Sequence, residues 1–404
     1  MTSSTSSSRA ALRGVTLIEL LVAMTIGLIV TLAVTSIVTV GEAHKRTTTS
    51  TNDMSQSGAF AAYALDRVLR SAGSGLVQSN GLGVFGCRLS VSWRARDDAG
   101  GTPASILPRT TAFPAPFANF LGGAGAAAAG NLRVAPLLIA QGQSSSSSDV
   151  LVVMGGTGAA GDVPRLIRSG VAGTNNLRLN NTIGLTHGDL GLVTQDGTND
   201  CLIEQVNVTD ATSFALAANE VLPLGGRYFA STGPTTSLAT FAGSGTAFYT
   251  PLGNTLSSNV QFQLIGVGAN QTLMAYDLLR SAGTIADPDP VQAIADGAVA
   301  LRALYGVDTN GDGIVDSWQS PSGTYAIATV MTTPATMRQI VAVRVALVMR
   351  SSELNKDNVS PASLTLFGDL ATALQYSLTL DQHYRYRVID TTIPLRNMLL
   401  QATS

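Results

Sequence analysis

One short stretch of the chain, residues 308–319, carries oxygen-bearing side chains at the spacing of a calcium-binding loop. It reads Asp-Thr-Asn-Gly-Asp-Gly-Ile-Val-Asp-Ser-Trp-Gln. Side-chain oxygens stand at loop positions 1, 3, 5 and 9, glycine at position 6 permits a sharp turn, and position 7 offers its main-chain carbonyl. The spacing predicts a Ca²⁺ site with these ligands: Asp308, Asn310, Asp312, the carbonyl of Ile314, and Asp316.

The same stretch lacks the residue that closes an EF-hand. Position 12 is Gln319 rather than a bidentate glutamate, and Pro321 follows soon after. A signalling pair of helices is therefore not expected, and the bound ion is predicted to have a structural role. The alternative is a polar turn without metal, because Asn-Gly and Asp-Gly pairs favour tight turns on their own.

A second stretch of unusual chemistry lies near the start of the chain, where one carboxylate interrupts an apolar run. From Val15 to Val40 the only ionisable side chain is Glu19. A helix of that length rises roughly 39 Å and can cross a hydrocarbon core of about 30 Å. An unpaired charge in such a span costs on the order of 3 kcal/mol, which indicates that Glu19 has a partner. One alternative is a plain signal anchor whose Glu19 reaches the interface or is protonated, and a second is a cleaved secretory signal, for which the run is too long.

The residues Gly14-Val-Thr-Leu-Ile-Glu19 resemble the class III signal of type IV prepilins, in which a short leader ends in glycine and glutamate is the fifth mature residue. The resemblance implies that a prepilin peptidase cleaves the leader Met1–Gly14 and leaves Val15 as the N-terminus, a position that is usually N-methylated in this family. It also implies that Glu19 acts in assembly, where the carboxylate meets the Val15 amine of a neighbouring subunit. The leader would be cytoplasmic and the body extracytoplasmic.

The chain has two cysteines, Cys87 and Cys201. In the extracytoplasmic compartment that the prepilin resemblance implies, they are candidates for one disulfide. The alternative is two buried free thiols, because spacing in the sequence does not show proximity in space.

Composition argues against disorder and against a nucleic-acid partner. Apolar residues make up 45% of the chain, charged residues 12%, and the formal net charge is −2, so the chain can bury a core and has no electrostatic attraction to polyanions. The run 383–387, His-Tyr-Arg-Tyr-Arg, is compatible with single-stranded DNA but is more typical of a sheet with one solvated face. His44, His187 and His383 lie far apart and no hydrolase or metalloprotease motif occurs, so no enzyme is predicted.

The order of patterns along the chain predicts an α+β fold, with a long N-terminal helix packed on antiparallel sheet and a loop-rich, pilin-like body. The helix is expected over 15–78, with a transmembrane half at 15–40 and an amphipathic half in which Phe60, Tyr63, Ala64, Arg67, Val68 and Ser71 recur at helical spacing. The Thr-rich run 47–52 favours a break or kink between the halves.

The body is expected over 79–404, with a loop-rich surface insertion at about 95–148. Beyond it, short β-like runs are separated by turn residues, which predicts these strands: 149–154, 190–194, 201–208, 246–250, 259–266, 272–276, 324–331, 340–350 and 376–395. In 340–350, valines and leucine alternate with smaller or charged residues, which indicates one better-buried face.

Three further segments resemble PilW-type minor pilins. They are Tyr305-Gly-Val-Asp-Thr-Asn-Gly-Asp-Gly313, Val343-Arg-Val-Ala-Leu347 and Thr391-Thr-Ile-Pro-Leu-Arg-Asn397. The resemblance implies a structural protein that spans the inner membrane once, primes type IV pilus assembly and then lies in the tip complex at the cell surface, with roles in motility, adhesion or DNA uptake. Its implied partners are other minor pilins, the major pilin, a tip adhesin, the prepilin peptidase and the inner membrane.

Two other functions fit the same features. A J-type pseudopilin of a type II secretion system shares the N-terminal signal and the architecture. A membrane-anchored surface adhesin would bind a ligand through residues 95–240 without joining a filament, although Gly14 and Glu19 argue against it.

Overall fold

The structure is a computed structural model that describes residues 14–94, 104–109, 111–122, 132–157, 163–208, 221–257, 259–280 and 290–400. Its α-helices in these ranges are α1 (Leu17–Arg70), α2 (Leu238–Ser244), α3 (Ile327–Val330) and α4 (Pro334–Gln339). The chain divides into two units, Met1–Asp53 and Met54–Ser404. The long helix and the antiparallel sheets confirm the predicted α+β class. The predicted leader falls largely on residues 1–13, outside the described ranges.

Helix α1 continues without interruption through the Thr-rich run at 47–52, so the predicted break is wrong. The Thr48 hydroxyl donates to the carbonyl of His44 at 2.9 Å, which satisfies the hydroxyl inside the helix. The same bond recurs along the apolar half, where carbonyls three or four residues back accept from the hydroxyls of Thr25, Thr31, Thr35, Ser36 and Thr39. These polar groups therefore need no water.

The C-terminal part of α1 buries a narrow stripe of small and aliphatic side chains. Ala61, Leu65 and Leu69 are buried at helical spacing, whereas Phe60 is 57% exposed and Tyr63 66% exposed. The helix comes close to the body at Gly58, where an added Cβ would stand 2.8 Å from Ile389 Cδ1. The buried stripe therefore lies next to the stripe that the sequence pattern predicts. Small residues in the buried stripe allow the helix to approach the body closely.

The helix ends at Arg70, earlier than the predicted 78. Turns follow, and Gly73 has φ of +78°, a left-handed conformation that a helix cannot continue through. The carbonyls of Arg70 and Ala72 accept hydrogen bonds from the Asn397 side chain at 3.5 and 3.0 Å. Asn397 thus holds the C-terminal end of α1 against the body.

Strands in the described ranges form four sheets. The nine-stranded sheet has the order β2 (Ala104–Leu107), β1 (Arg88–Trp93), β10 (Leu224–Phe229), β8 (Asp200–Val206), β7 (Asp189–Thr194), β11 (Phe248–Asn254), β5 (Arg165–Gly170), β6 (Leu177–Leu179) and β9 (Val221–Leu222). Among its pairs, β1 with β8 is parallel and the others are antiparallel.

The five-stranded sheet has the order β14 (Val291–Asp296), β13 (Thr272–Asp277), β12 (Val260–Val267), β4 (Val150–Gly156) and β3 (Leu137–Ala140). The four-stranded sheet has the order β16 (Ser317–Gln319), β15 (Ala298–Val307), β17 (Ile340–Arg350) and β20 (Tyr386–Pro394). A two-stranded sheet pairs β18 (Ser363–Leu366) with β19 (Tyr376–Thr379).

Both faces of β17 are buried, although its alternation predicts one better-buried face. Val343, Val345 and Leu347 face the main core. On the other face Ala346 and Val348 pack in a smaller cluster that includes Leu366 of β18. The small sheet therefore covers a surface that would otherwise meet solvent.

Two sequence predictions are wrong in this part of the chain. Residues 324–331 form a turn and α3 rather than a strand, and Ile327, Val330 and Met331 bury at helical spacing. The expected surface loops at about 95–148 contain three buried phenylalanines, Phe113, Phe117 and Phe120, in the main core. Phe113 meets Tyr276 of β13 edge to face at 5.5 Å.

Candidate functional site

The processing and assembly residues lie at the start of α1, where Thr16 caps the helix. The backbone N–H of Glu19 donates to Thr16 Oγ1 at 3.3 Å, and that of Leu20 to the Thr16 carbonyl at 3.1 Å. Gly14 and Val15 are exposed and lie just before the helix. The predicted scissile bond is therefore exposed and lies outside the helix, and Glu19 is in the first helical turn.

The apolar half of α1 is fully exposed within its own unit. Residues 17–40 are all exposed, and the helix is long and apolar enough to cross a membrane. An apolar helix without protein around it needs lipid or other helices to cover it. This geometry fits a membrane-anchored pilin.

The predicted disulfide is present. Cys87 and Cys201 are bonded with their Cα atoms 5.6 Å apart, and 114 residues separate them in sequence. Cys87 precedes β1 and Cys201 lies in β8, the two strands that pair in parallel. Beside the bond, Arg88 Nε lies 2.6 Å from Asp200 Oδ1. The disulfide therefore ties the segment after α1 to the centre of the nine-stranded sheet.

The predicted calcium loop connects β15 to β16 as a hairpin, with no helix on either side. The N–H of Asp316 donates to the Val307 carbonyl at 2.9 Å, which closes the base of the loop. Gly311 and Gly313 have φ of +81° and +82°, conformations that favour glycine. The loop geometry thus rules out an EF-hand pair of helices here.

Hydrogen bonds gather the side chains of the loop. Asp308, which is 5% exposed, accepts from the N–H groups of Gly311 and Gly313, both at 2.7 Å. Asn310 Nδ2 donates to Asp312 Oδ2 at 3.2 Å and lies 3.5 Å from Asp316 Oδ1. The proposed side-chain ligands therefore share one side of one loop.

The carboxylates themselves are engaged by protein donors. Thr309 donates to Asp316 Oδ2 from both its N–H and its hydroxyl, at 2.7 and 2.6 Å, and these bonds hold the pKa of Asp316 below its ordinary value. Over the described residues, no group of three or more His, Cys, Asp or Glu side chains has the arrangement of a metal site. The loop brings oxygen ligands near one another without assembling three carboxylates.

Thr16 is a residue of this site that the sequence argument missed. The pattern Thr16-Leu-Ile-Glu19 has the form of a capping box, threonine followed three residues later by glutamate, and could have been read directly. It places a second polar group beside Glu19 at the membrane end of the chain.

Comparison with family models gives two matches. Residues 265–397 match the family described as Type IV Pilus-assembly protein W, and residues 10–35 match the Prokaryotic N-terminal methylation motif. No curated protein and no solved structure matches the chain. Pilin families are structural rather than catalytic. Together with the exposed apolar helix, the two matches support a PilW-type pilin that carries a prepilin signal.

Proposed function

We propose that this pilin is a minor subunit that primes type IV pilus assembly and occupies the tip complex. The observation that carries the proposal is Glu19. Its side chain is exposed in the first turn of an apolar helix and makes no ion pair with any described residue. A carboxylate in hydrocarbon needs a cation, and cleavage after Gly14 creates one, the amine of Val15 on a neighbouring subunit.

The size of the body favours the tip over the shaft. Helices pack 8–10 Å apart in a bundle. The unit Met54–Ser404 contains 351 residues, and a compact domain of that length has a radius of gyration of about 20 Å. Such bodies crowd one another when every subunit of a shaft carries one, whereas a tip holds only a few subunits.

Glu19→Ala is expected to leave membrane insertion intact and to lower incorporation into filaments at least tenfold. Alanine makes the span more apolar while it removes the partner of the neighbour's amine. The measurement compares membrane and sheared-filament fractions, with N-terminal sequencing expected to start at Val15 in both variant and parent. Glu19→Gln should behave like alanine, because an amide carries no charge.

Ser36→Ala is the matched control, since Ser36 lies on the same exposed helix and its hydroxyl bonds only to the Ala33 carbonyl. It should enter filaments normally. Equal incorporation of Glu19→Ala and parent contradicts the assembly role. Priming itself is tested in a deletion strain: fewer pili even when retraction is disabled supports it, and an unchanged number of pili argues against it.

We also propose that the loop 308–316 binds one Ca²⁺ through Asp308, Asn310, Asp312, the Ile314 carbonyl and Asp316. The chemistry of the donors supports this, because all are hard oxygens. Binding requires Asp312 and Asp316 to exchange their hydrogen bonds from Asn310, Ile314 and Thr309 for the ion. The ion would hold β15 and β16 together at the end where the loop joins them.

Calcium is expected to raise the melting temperature of the protein and chelator to lower it. A ligand that binds only the folded state stabilises it by about 2.7 kcal/mol at a hundredfold excess over Kd. Asp312→Ala should abolish the response, whereas Asp357→Ala, at an exposed site outside the loop, should keep it. Magnesium should substitute poorly because it requires tight octahedral geometry. If the melting temperature is the same in calcium and in chelator, and calorimetry detects no heat of binding, the loop is only a polar turn.

A further inference from the structure

Strand β20 forms an open edge of the four-stranded sheet. It pairs with β17 along one side, in continuous register from Ala342 opposite Pro394 to Arg350 opposite Tyr386. Among the described strands, none pairs with its other side. The strand has nine residues, whereas the other sheet edges, β2, β3, β9, β14 and β16, have between two and six. Because natural proteins keep free edges short or interrupt them with bulges, a long regular edge requires an explanation.

The backbone groups that point outward follow from the hydrogen bonds at the two ends of the strand. The N–H of Ser351 donates to the Arg385 carbonyl at 2.9 Å, and the N–H of Leu395 to the Val341 carbonyl at 2.8 Å. In an antiparallel pair, every second residue of a strand directs its N–H and C=O groups to the neighbouring strand. The residues of β20 that bond to β17 are therefore the odd-numbered ones. The N–H and C=O groups of Val388, Asp390 and Thr392 point away from β17.

This edge is accessible to another chain. Val388, Asp390 and Thr392 are all exposed as residues, and no described residue bonds to their N–H groups. Ile389 packs against α1 on one face of the sheet, and Asp390 faces Arg344 on the other. One face of the strand thus packs on α1 while the edge stays open, and an open edge can accept an added strand.

The edge is also basic. Arg385, Arg387 and Arg396 lie on or beside β20, and their side chains form no ion pair with a described acidic group. The one acidic residue of the strand, Asp390, is already neutralised by Arg344 at 2.8 Å. Local positive charge on a chain of net charge −2 favours a partner with the opposite sign.

We propose that β20 binds an extended acidic segment of a partner polypeptide by β-strand addition. Main-chain bonds to residues 388, 390 and 392 give the pairing, and the three arginines select acidic side chains. The competing explanation is that the arginines only deter edge-to-edge aggregation. The inference concerns a surface of the folded body and does not rest on the proposed pilus role.

The test uses the full chain in non-ionic detergent and a synthetic peptide, Thr-Glu-Val-Glu-Val-Glu-Thr, with its Lys-for-Glu counterpart as control. Hydrogen exchange is read at single amides. The acidic peptide should slow exchange of the Val388, Asp390 and Thr392 amides at least tenfold at saturation, and its binding should weaken with salt. No slowing at millimolar acidic peptide overturns the proposal, and equal slowing by both peptides overturns its charge selectivity.

Two variants separate backbone pairing from charge. Thr392→Pro removes one outward N–H and leaves the bonds to β17, so it should weaken peptide binding at least tenfold, whereas Thr392→Val should bind within twofold of the parent. Arg387→Glu, at an exposed position, should weaken the acidic peptide tenfold and favour the basic one. Unchanged affinities in Thr392→Pro and Arg387→Glu refute the site. Glu19→Ala should bind the peptide normally, so failure of the pilus role and failure of this site are distinguishable.

Discussion

Replacing Cys87 and Cys201 together by alanine is expected to lower the free energy of unfolding by about 4–5 kcal/mol. The disulfide closes a loop of 114 residues, and in the chain-entropy model a closed loop of about 100 residues is worth roughly 4.7 kcal/mol. Both sulfurs are buried, so the lost packing adds to the effect. Urea unfolding of the full chain in detergent measures the difference.

The single variants provide the control for this prediction. Cys87→Ala and Cys201→Ala each break the same cross-link, so each should cost nearly as much as the double variant, and the effects should not add. If instead the two single variants each cost less and their costs add up to that of the double variant, the lost packing rather than the cross-link accounts for the effect. A double variant within about 1 kcal/mol of the parent contradicts the stabilising role.

Features that depend on local pattern could be predicted from the sequence. Hydropathy alone locates the apolar half of α1, since a helix satisfies the backbone hydrogen bonds of a single segment in lipid without help from other segments. Strand β17 has the predicted bounds, 340–350, because β-branched alternation and flanking turns agree. The hairpin loop at 308–316 follows from its Asx and glycine spacing.

Features that depend on contacts between distant residues could not be predicted. Asp149 and Arg302 form a buried ion pair at 2.7 Å, although 153 residues separate them. Arg302 also stacks on the Tyr376 ring at 3.6 Å, so one guanidinium links β15, β19 and the residue that precedes β4. Neither residue lies in a motif. The same limit explains why Phe113, Phe117 and Phe120, in a Pro- and Ala-rich tract, read as surface loop while they fill the core.

The site was predicted unevenly for the same reason. Gly14, Glu19 and the predicted calcium loop are contiguous motifs that spacing suggests, whereas a disulfide between the two cysteines is expected only from the compartment that the prepilin resemblance implies. The open edge of β20 has no sequence signature, because the sheet order decides which strand is last.

A buried carboxylate in the nine-stranded sheet is expected to make the protein less stable as pH rises. Glu204 of β8 is fully buried, and this burial raises its pKa from the ordinary 4.5 to about 8. Hydrogen bonds from the N–H groups of Ser231 and Ala230 and the charge of Arg94 act in the opposite direction without cancelling the effect. Its Oε1 accepts from Ser231 at 2.9 Å, and its Oε2 has no partner.

The sign follows from proton linkage. The folded chain keeps the Glu204 proton up to about pH 8, whereas the unfolded chain releases it near 4.5. The stabilisation that the protonated Glu204 contributes is therefore fully present below its pKa in the unfolded chain. It is lost as pH rises through its pKa in the folded chain. The loss is roughly 1.36 kcal/mol per pH unit within that window.

Glu204→Gln removes the titrating group and keeps an acceptor for Ser231 and Ala230. Between pH 5 and pH 8 the stability of the variant relative to the parent should rise by about 3–4 kcal/mol, measured by urea unfolding at several pH values. Other groups titrate alike in both proteins, so the difference isolates Glu204. Asp357→Asn makes the same change of carboxylate to amide at an exposed position and should show no such rise, because water solvates that charge in both states. A pH-independent difference for Glu204→Gln means that the carboxylate is ionised when folded and that Arg94, over the Phe229 ring at 5.3 Å, neutralises it after all.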